Sequence, residues 1–177
     1  MTTKLLSGLF GLAVAAAGAL AAPAKAETAS AAPLAAPTGA VILTVSGDIE
    51  VRNADGRAEF DRGLLEALPQ TEVVTWTPWT GREPVRFSGV LMADLMERLC
   101  ASGGPIVASA LNDYRVEIPM SDLDRHDVLL ALRRDGEVMQ VRDKGPLWII
   151  YPLDPAEPVL AEIERRMVWQ LDELIVR

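Results

Sequence analysis

The chain reads as a mixed α+β domain. Segments with strand periodicity outnumber helical ones, and the two kinds do not alternate regularly. A doubly wound α/β sheet needs that alternation, so the pattern argues against it. No internal repeat and no coiled-coil heptad is present, which sets aside solenoids and long coiled coils. From Val41 to Arg177 there is enough chain for one domain with a real core.

The elements follow in order. Val41, Leu43 and Val45 alternate with Ile42, Thr44 and Ser46, a strand pattern that Gly47-Asp48 ends as a turn. Ile49 and Val51 resume an extended run, and Asn53-Ala54-Asp55-Gly56 is a second turn. Asp61 is placed to cap a short helix carrying Leu64, Leu65 and Leu68, stopped by Pro69. Glu72 to Thr77 is rich in β-branched residues and Trp, which suits a strand. Pro78 to Glu83 reads as a loop and Pro84 to Ser88 as a short strand.

Helical spacing of Leu91, Leu95 and Leu99, with Met92 and Met96, predicts a helix from Val90 to about Ala101. Ser102-Gly103-Gly104-Pro105 ends it. Ile106 to Ala110 is a strand of buried character, and Asn112-Asp113 turns the chain into a strand in which Tyr114, Val116 and Ile118 alternate with Arg115 and Glu117. Ser121 is placed to cap a helical turn through Asp124. Val128 to Arg133 and Glu137 to Val141 flank Asp135-Gly136, a hairpin signal. Leu147 to Tyr151 is a continuous apolar run that predicts a central strand. Glu157 to Glu164 predicts a short helix, and Val168 to Val176 a final strand.

The first 26 residues stand outside this fold. Lys4, the uncharged apolar run Leu5 to Leu20 and Ala24-Lys25-Ala26 together form a secretory signal peptide. A retained membrane anchor is the alternative, and the run is short for one. Residues 27–40, rich in Ala, Pro, Ser and Thr, predict a flexible lead-in. The remainder, 41–177, is expected to be a soluble periplasmic domain with no direct membrane insertion after signal removal.

The full chain carries net charge −8. Lys4 and Lys25 are the only charges before residue 27, so the exported part holds 15 basic against 25 acidic residues, a net of −10. Such a surface repels phosphates and anionic headgroups, so neither nucleic acid nor an anionic membrane is an expected partner. Solubility alone would also explain the charge. The single cysteine, Cys100, permits no internal disulfide, and with one histidine, His126, neither a cysteine nor a histidine metal site can be assembled. One such histidine in a polar turn supports no Ser-His-Asp set.

Several segments then occur in a telling order. Phe87-Ser88-Gly89-Val90-Leu91 with Asp94-Leu95, then Asn112-Asp113-Tyr114 with Val116, Ile118 and Pro119, then Leu129-Leu130-Ala131, Asp135-Gly136-Glu137 and Lys144-Gly145-Pro146-Leu147 resemble the "F-x-G-V-x-L-x-D-L-L", "DGY…IP" and "LLA…NG…GGPLR" segments of the oxidoreductase molybdopterin-binding domain family, the sulfite-oxidase type. The resemblance implies a single mixed-sheet domain of that type from about Val41 to the C-terminus. The family's enzymes place a metal-binding cysteine near Thr75-Trp76, and a hydroxyl and an indole cannot replace that soft ligand. Trp148 stands where an arginine often follows the Gly-Pro-Leu segment.

Lys144 to Pro152 and Arg166-Met167-Val168-Trp169-Gln170-Leu171 further resemble small exported pterin-response proteins of the PruR type. That resemblance implies a reduced pterin as ligand, no metal, no catalysis, and a partner in the periplasmic domain of an inner-membrane protein that makes or degrades cyclic di-GMP. A molybdenum cofactor-dependent oxidoreductase subunit is the alternative, and an adaptor that binds no small molecule is a third reading.

A pterin needs an aromatic wall and fixed polar groups. The chain has four tryptophans. Trp76 and Trp79 flank the altered metal-ligand position, Trp148 ends the Gly-Pro-Leu-Trp segment and Trp169 sits in the last strand. Ordinary core packing is the other role open to each, and it suits Trp148 best because that residue lies in an apolar run. Arg166 is a candidate to bind a carbonyl or stack on a ring, or else to pair with Glu162 or Glu164 on the surface. Asn112 and Tyr114 come from a turn and a strand edge that can reach a cleft, or serve turn chemistry and core. Lys144 precedes a Gly-Pro bend and meets either a ligand tail or solvent.

Overall fold

Residues 33–177 are described by the computed structural model, so the signal peptide expected over residues 1–26 and the start of the lead-in lie outside them. The elements in chain order are β1 (Val41–Gly47), β2 (Arg57–Asp61), α1 (Arg62–Glu66), β3 (Thr71–Thr77), β4 (Gly81–Leu91), α2 (Met92–Arg98), β5 (Ile106–Ala110), β6 (Arg115–Ile118) and α3 (Met120–Arg125). They continue with β7 (Leu129–Arg134), β8 (Glu137–Val138), β9 (Trp148–Ile150), α4 (Ala161–Arg166) and β10 (Leu171–Val176). The class is α+β, as the periodicities require: two mostly antiparallel sheets carry the chain and the helices are short.

The first sheet has the order β2-β1-β10-β5-β6, with β1 and β10 parallel and the other pairs antiparallel. The second runs β3-β4-β7, and both β8 and β9 pair with the far side of β7. Leu43, Val45 and Phe60 from the first sheet join Phe87, Val90, Leu129 and Ile149 from the second and Leu95 and Leu99 around α2 in one buried cluster. Each such side chain removed from water contributes roughly 1.5–3 kcal/mol.

Asp61 caps α1 as its position predicts, accepting from Leu64 N at 2.8 Å. It does more than cap. Its other carboxylate oxygen accepts from the backbone N–H groups of Thr38 and Gly39, each at 2.7 Å. Asn53 adds a bond to the Ala35 carbonyl at 2.7 Å, and Leu34 packs against the core. The part of the expected flexible lead-in that is described is therefore tied down. Composition alone misses this because the anchors, Asp61 and Asn53, lie outside the segment.

The long β4 corrects two expectations. Of the expected loop Pro78 to Glu83, only residues 78–80 turn the chain and residues 81–83 already belong to β4: Thr77 pairs with Gly81, and the Thr77 hydroxyl accepts from Trp79 N at 3.3 Å and Thr80 N at 3.1 Å. Pro84 is accommodated where the ladder changes register between Thr75 and Thr77, so its missing N–H breaks no regular pair. At the other end Val90 and Leu91 pair with Leu130 and Leu129, so the helix begins at Met92, not Val90. Strand pairing overrides the helical spacing of two residues there. The helix ends at Arg98, and Cys100 follows it in a left-handed conformation, φ 48°.

Other boundaries also move. α3 starts after Pro119 rather than on a Ser121 cap. Pro155 and Pro158 delay the expected helix at Glu157 to Ala161. The apolar run Leu147 to Tyr151 is fully buried but is not a central strand: β4 and β7, each paired on both sides, hold the middle of the sheet and β9 lies at its edge beside β7. An unbroken apolar run reports burial on two faces, and β9 gets its second cover from residues 167–169 rather than from a second full strand. The Asp135-Gly136 hairpin forms as predicted, both residues having positive φ, 51° and 84°.

Gly89 is a position where no side chain fits, because a methyl group there would land on the Leu130 carbonyl oxygen of β7. Gly89→Ala should therefore cost about 3 kcal/mol by forcing β4 from β7, read as a fall in the urea midpoint. Asp61 gives a pH test. Hydrogen bonds from Leu64, Gly39 and Thr38 hold its carboxyl below the usual aspartate range. Its contribution is thus fully present above the ordinary aspartate pKa and lost as pH falls through the lower folded value. The stability gap between the natural chain and Asp61→Asn should be wide at about pH 7 and shrink toward about pH 3. A gap independent of pH would show that the carboxylate charge is not what anchors residues 38 and 39.

Candidate functional site

The residues between α4 and β10 join the two sheets. Ile149 N donates to Val168 O at 2.8 Å, Leu171 N to Leu147 O at 3.1 Å, and Gln170 N to Lys144 O at 3.0 Å, all toward the second sheet. Leu111 N donates to Gln170 O at 2.9 Å, toward the first. Gln170 reaches both sides by taking a left-handed backbone, φ 53°. These bonds fix Trp169 at the join.

Trp169 is the centre of an aromatic group. Its ring meets Trp79 edge-on at 4.7 Å between centroids, and Trp79 in turn lies 6.0 Å from Trp148. Trp148 packs edge-on to Phe87 at 5.5 Å and donates its indole N–H to Met167 O at 3.2 Å. Such offset and edge contacts are the favoured aromatic geometries. The Lys144 ammonium lies over all three indoles, 3.9 Å from the Trp169 centroid and 5.4 Å from those of Trp79 and Trp148. Burial, followed by repulsion from Arg134, pushes the Lys144 amine below its ordinary pKa.

Beside this group opens a cleft of about 370 Å³. Trp79 and Trp169 form its aromatic wall, with Met167, Val168 and Ala110 beside them. Asn112 and Tyr114 line it from the turn between β5 and β6, and Ala161, Glu164 and Arg165 line it from α4. The Tyr114 hydroxyl donates to Arg165 O at 3.0 Å, linking the two rims. Asn112 accepts from Tyr114 N at 3.2 Å through its side-chain oxygen, which leaves its amide NH₂ group free to donate.

The structure thus brings together Trp79, Trp169, Asn112 and Tyr114 of the residues singled out from sequence, with Lys144 against the aromatic wall. Three others lie elsewhere. Trp148 is fully buried core. Trp76 is buried in β3 with its ring 5.5 Å from the Arg82 guanidinium carbon and its indole N–H without a partner. Arg166 does not line the cleft, and its guanidinium donates to Asp122 Oδ2 at 2.9 Å rather than pairing with Glu162 or Glu164. The Tyr151 hydroxyl donates to the same oxygen at 2.8 Å. Burial, then the bond to Asp122, raises the Tyr151 pKa and keeps the phenol a donor. His126 is exposed and rests edge-on against Tyr151 at 5.7 Å.

Glu164 and Arg165 were missed because a short charged helix carries no motif; their place in the cleft follows from where α4 is docked. The Arg166 pair with Asp122, the Tyr114 bond to Arg165 O and Ile163 against the core all hold it there. At the position where the resemblance places a metal-binding cysteine, the Thr75 hydroxyl accepts from Leu153 N at 2.8 Å. Among the described residues no group of three or more His, Cys, Asp or Glu side chains is arranged to hold a metal ion. The class defined by fold and site is an α+β domain with an aromatic-walled, polar-rimmed cleft. No protein-family model and no curated protein matches the chain.

Asp122 is buried, so removing its cation leaves a carboxylate paired only with a phenol. Arg166→Ala should lower stability by about 3 kcal/mol. It should also loosen α4, seen as faster amide exchange at Glu164 to Met167. A variant as stable as the natural chain would mean that Asp122 does not need the guanidinium.

Proposed function

We propose that this chain is a non-catalytic, exported protein of the sulfite-oxidase molybdopterin-binding type that holds a reduced pterin and relays its occupancy to the periplasmic domain of a membrane-bound regulator of cyclic di-GMP. The observation that carries the reading is the cleft between Trp169 and α4. Its volume falls in the range of small-molecule sites. A flat bicycle fits against the Trp79 and Trp169 wall by stacking or edge contact. The Glu164 carboxylate can accept the adjacent N–H groups along the aminopyrimidinone edge of a pterin, and the Asn112 amide can donate to its carbonyl. The ordered motifs from Phe87 to Leu171 support the family part of the reading. Relay requires that the partner contact the occupied and empty forms differently. The cleft rim, where Leu111, Tyr114 and Leu160 are exposed, offers such a surface.

Purification under reducing, anaerobic conditions tests the reading. Material released by denaturation and then oxidised should show pterin fluorescence near one equivalent per chain. Its persistent absence would favour the adaptor, and near-stoichiometric molybdenum the oxidoreductase. Trp169→Ala and Glu164→Gln should each weaken binding of a tetrahydropterin about tenfold or more. Trp76→Phe, outside the cleft, should leave affinity unchanged; a matching loss there would misplace the site.

A further inference from the structure

Lys144 is a half-buried charge beside the cleft wall that, among the described residues, lacks a polar partner. Among the described residues its ammonium forms no hydrogen bond and no ion pair, although three N–H donors are available. Its contacts are indole faces only. Those faces supply electrostatic attraction but no acceptor lone pair. Its backbone is held by the bond from Gln170 N to Lys144 O, so the loop that carries it is fixed to the residue next to Trp169.

The position of this cation matters. The ring that Nζ approaches most closely, Trp169, is itself a wall of the cleft, and Trp79 is another. Lys144 does not itself line the cleft; its Nζ lies 3.9 Å from the centroid of Trp169, which does. Lys144 is half-buried, so it is partly screened from water yet open to a partner, and its four-carbon stem can swing. Arg134 lies within electrostatic range and adds positive potential, though it also contacts Asp135 at 3.7 Å. At the rim Glu164 and Arg165 bring opposite charges to the lining.

We infer that Lys144 is a specificity-determining residue: it selects ligands whose flat ring carries an anionic oxygen group, a carboxylate or phosphate, placed to replace the missing acceptor. This rests on the proposed cleft and deepens it, assigning ring recognition to the Trp79, Trp169 and Glu164 side and anion recognition to Lys144. Partial burial makes an unpaired ammonium costly, so an incoming anion gains a charge-assisted hydrogen bond in a screened setting.

The test compares pterin with 6-carboxypterin, each reduced to the tetrahydro form and kept anaerobic, by tryptophan quenching. The natural chain should bind the carboxylated form about tenfold or more tightly. Lys144→Met should abolish that preference, read as the ratio of the two affinities within the variant, and Lys144→Arg should keep it. The preference in the natural chain should also shrink as salt is raised, a readout that needs no variant. Equal affinity for the two pterins, or a preference that survives in a folded Lys144→Met, overturns the inference while leaving pterin binding intact. If neither pterin binds, the proposed function falls instead; 2-naphthoate against 2-naphthalenemethanol then reads the anion rule alone, and no preference between them overturns it.

Discussion

Everything around the cleft depends on how residues 167–171 cross from one sheet to the other. Five residues cannot pair regularly with two differently directed sheets, so the chain alternates its bonds: Val168 O and Leu171 N serve the second sheet, Gln170 O the first. The left-handed turn at Gln170 makes this possible at a non-glycine residue, which is a sparsely populated conformation for it. With the backbone committed in both directions, the Trp169 ring has little freedom. It becomes a fixed wall and a platform for the indole of Trp79 and the ammonium of Lys144.

The second rigid point is Asp122. One carboxylate oxygen receives Tyr151 at the end of β9 and Arg166 at the end of α4, so three segments distant in sequence converge on one buried atom. A buried carboxylate with two donors is held strongly in place; losing Arg166 leaves its charge uncompensated, whereas losing Tyr151 removes one hydrogen bond. Arg166 does not line the cleft; its bond to Asp122 ties down the end of α4, the helix that carries Glu164. The helix itself is too short to be stable alone, so its place depends on such tertiary contacts.

The balance of forces in the cleft follows from these two anchors. The aromatic wall is rigid and largely apolar, whereas the polar groups sit at its edges: Asn112 on one rim, Glu164 and Arg165 on the other, Lys144 against the wall. In the proposed pterin site, stacking on the wall would tolerate different rings, and the edge groups would discriminate among rings and substituents.

The sequence alone determined the class and most of the elements. Alternation at Val41–Val45, the Asp61 cap, the Asp135-Gly136 hairpin and the buried character of Ile106–Ala110 are local statements that backbone sterics and burial make nearly unavoidable. It also marked Trp79, Trp169, Asn112 and Tyr114, because an aromatic or amide in a polar stretch asks for an explanation. What it could not supply was partnership across distance. Arg166 and Asp122 lie 44 residues apart, and no local pattern couples them. Val90 and Leu91 have helical spacing but a strand waiting at Leu129 and Leu130. Residues 33–40 look structureless until Asp61 and Asn53 supply acceptors and donors. Period and composition report how much of a side chain is buried; only the folded chain decides which distant group it is buried against, since hydrogen bonds and ion pairs are made to particular atoms whereas the hydrophobic effect is indifferent to address.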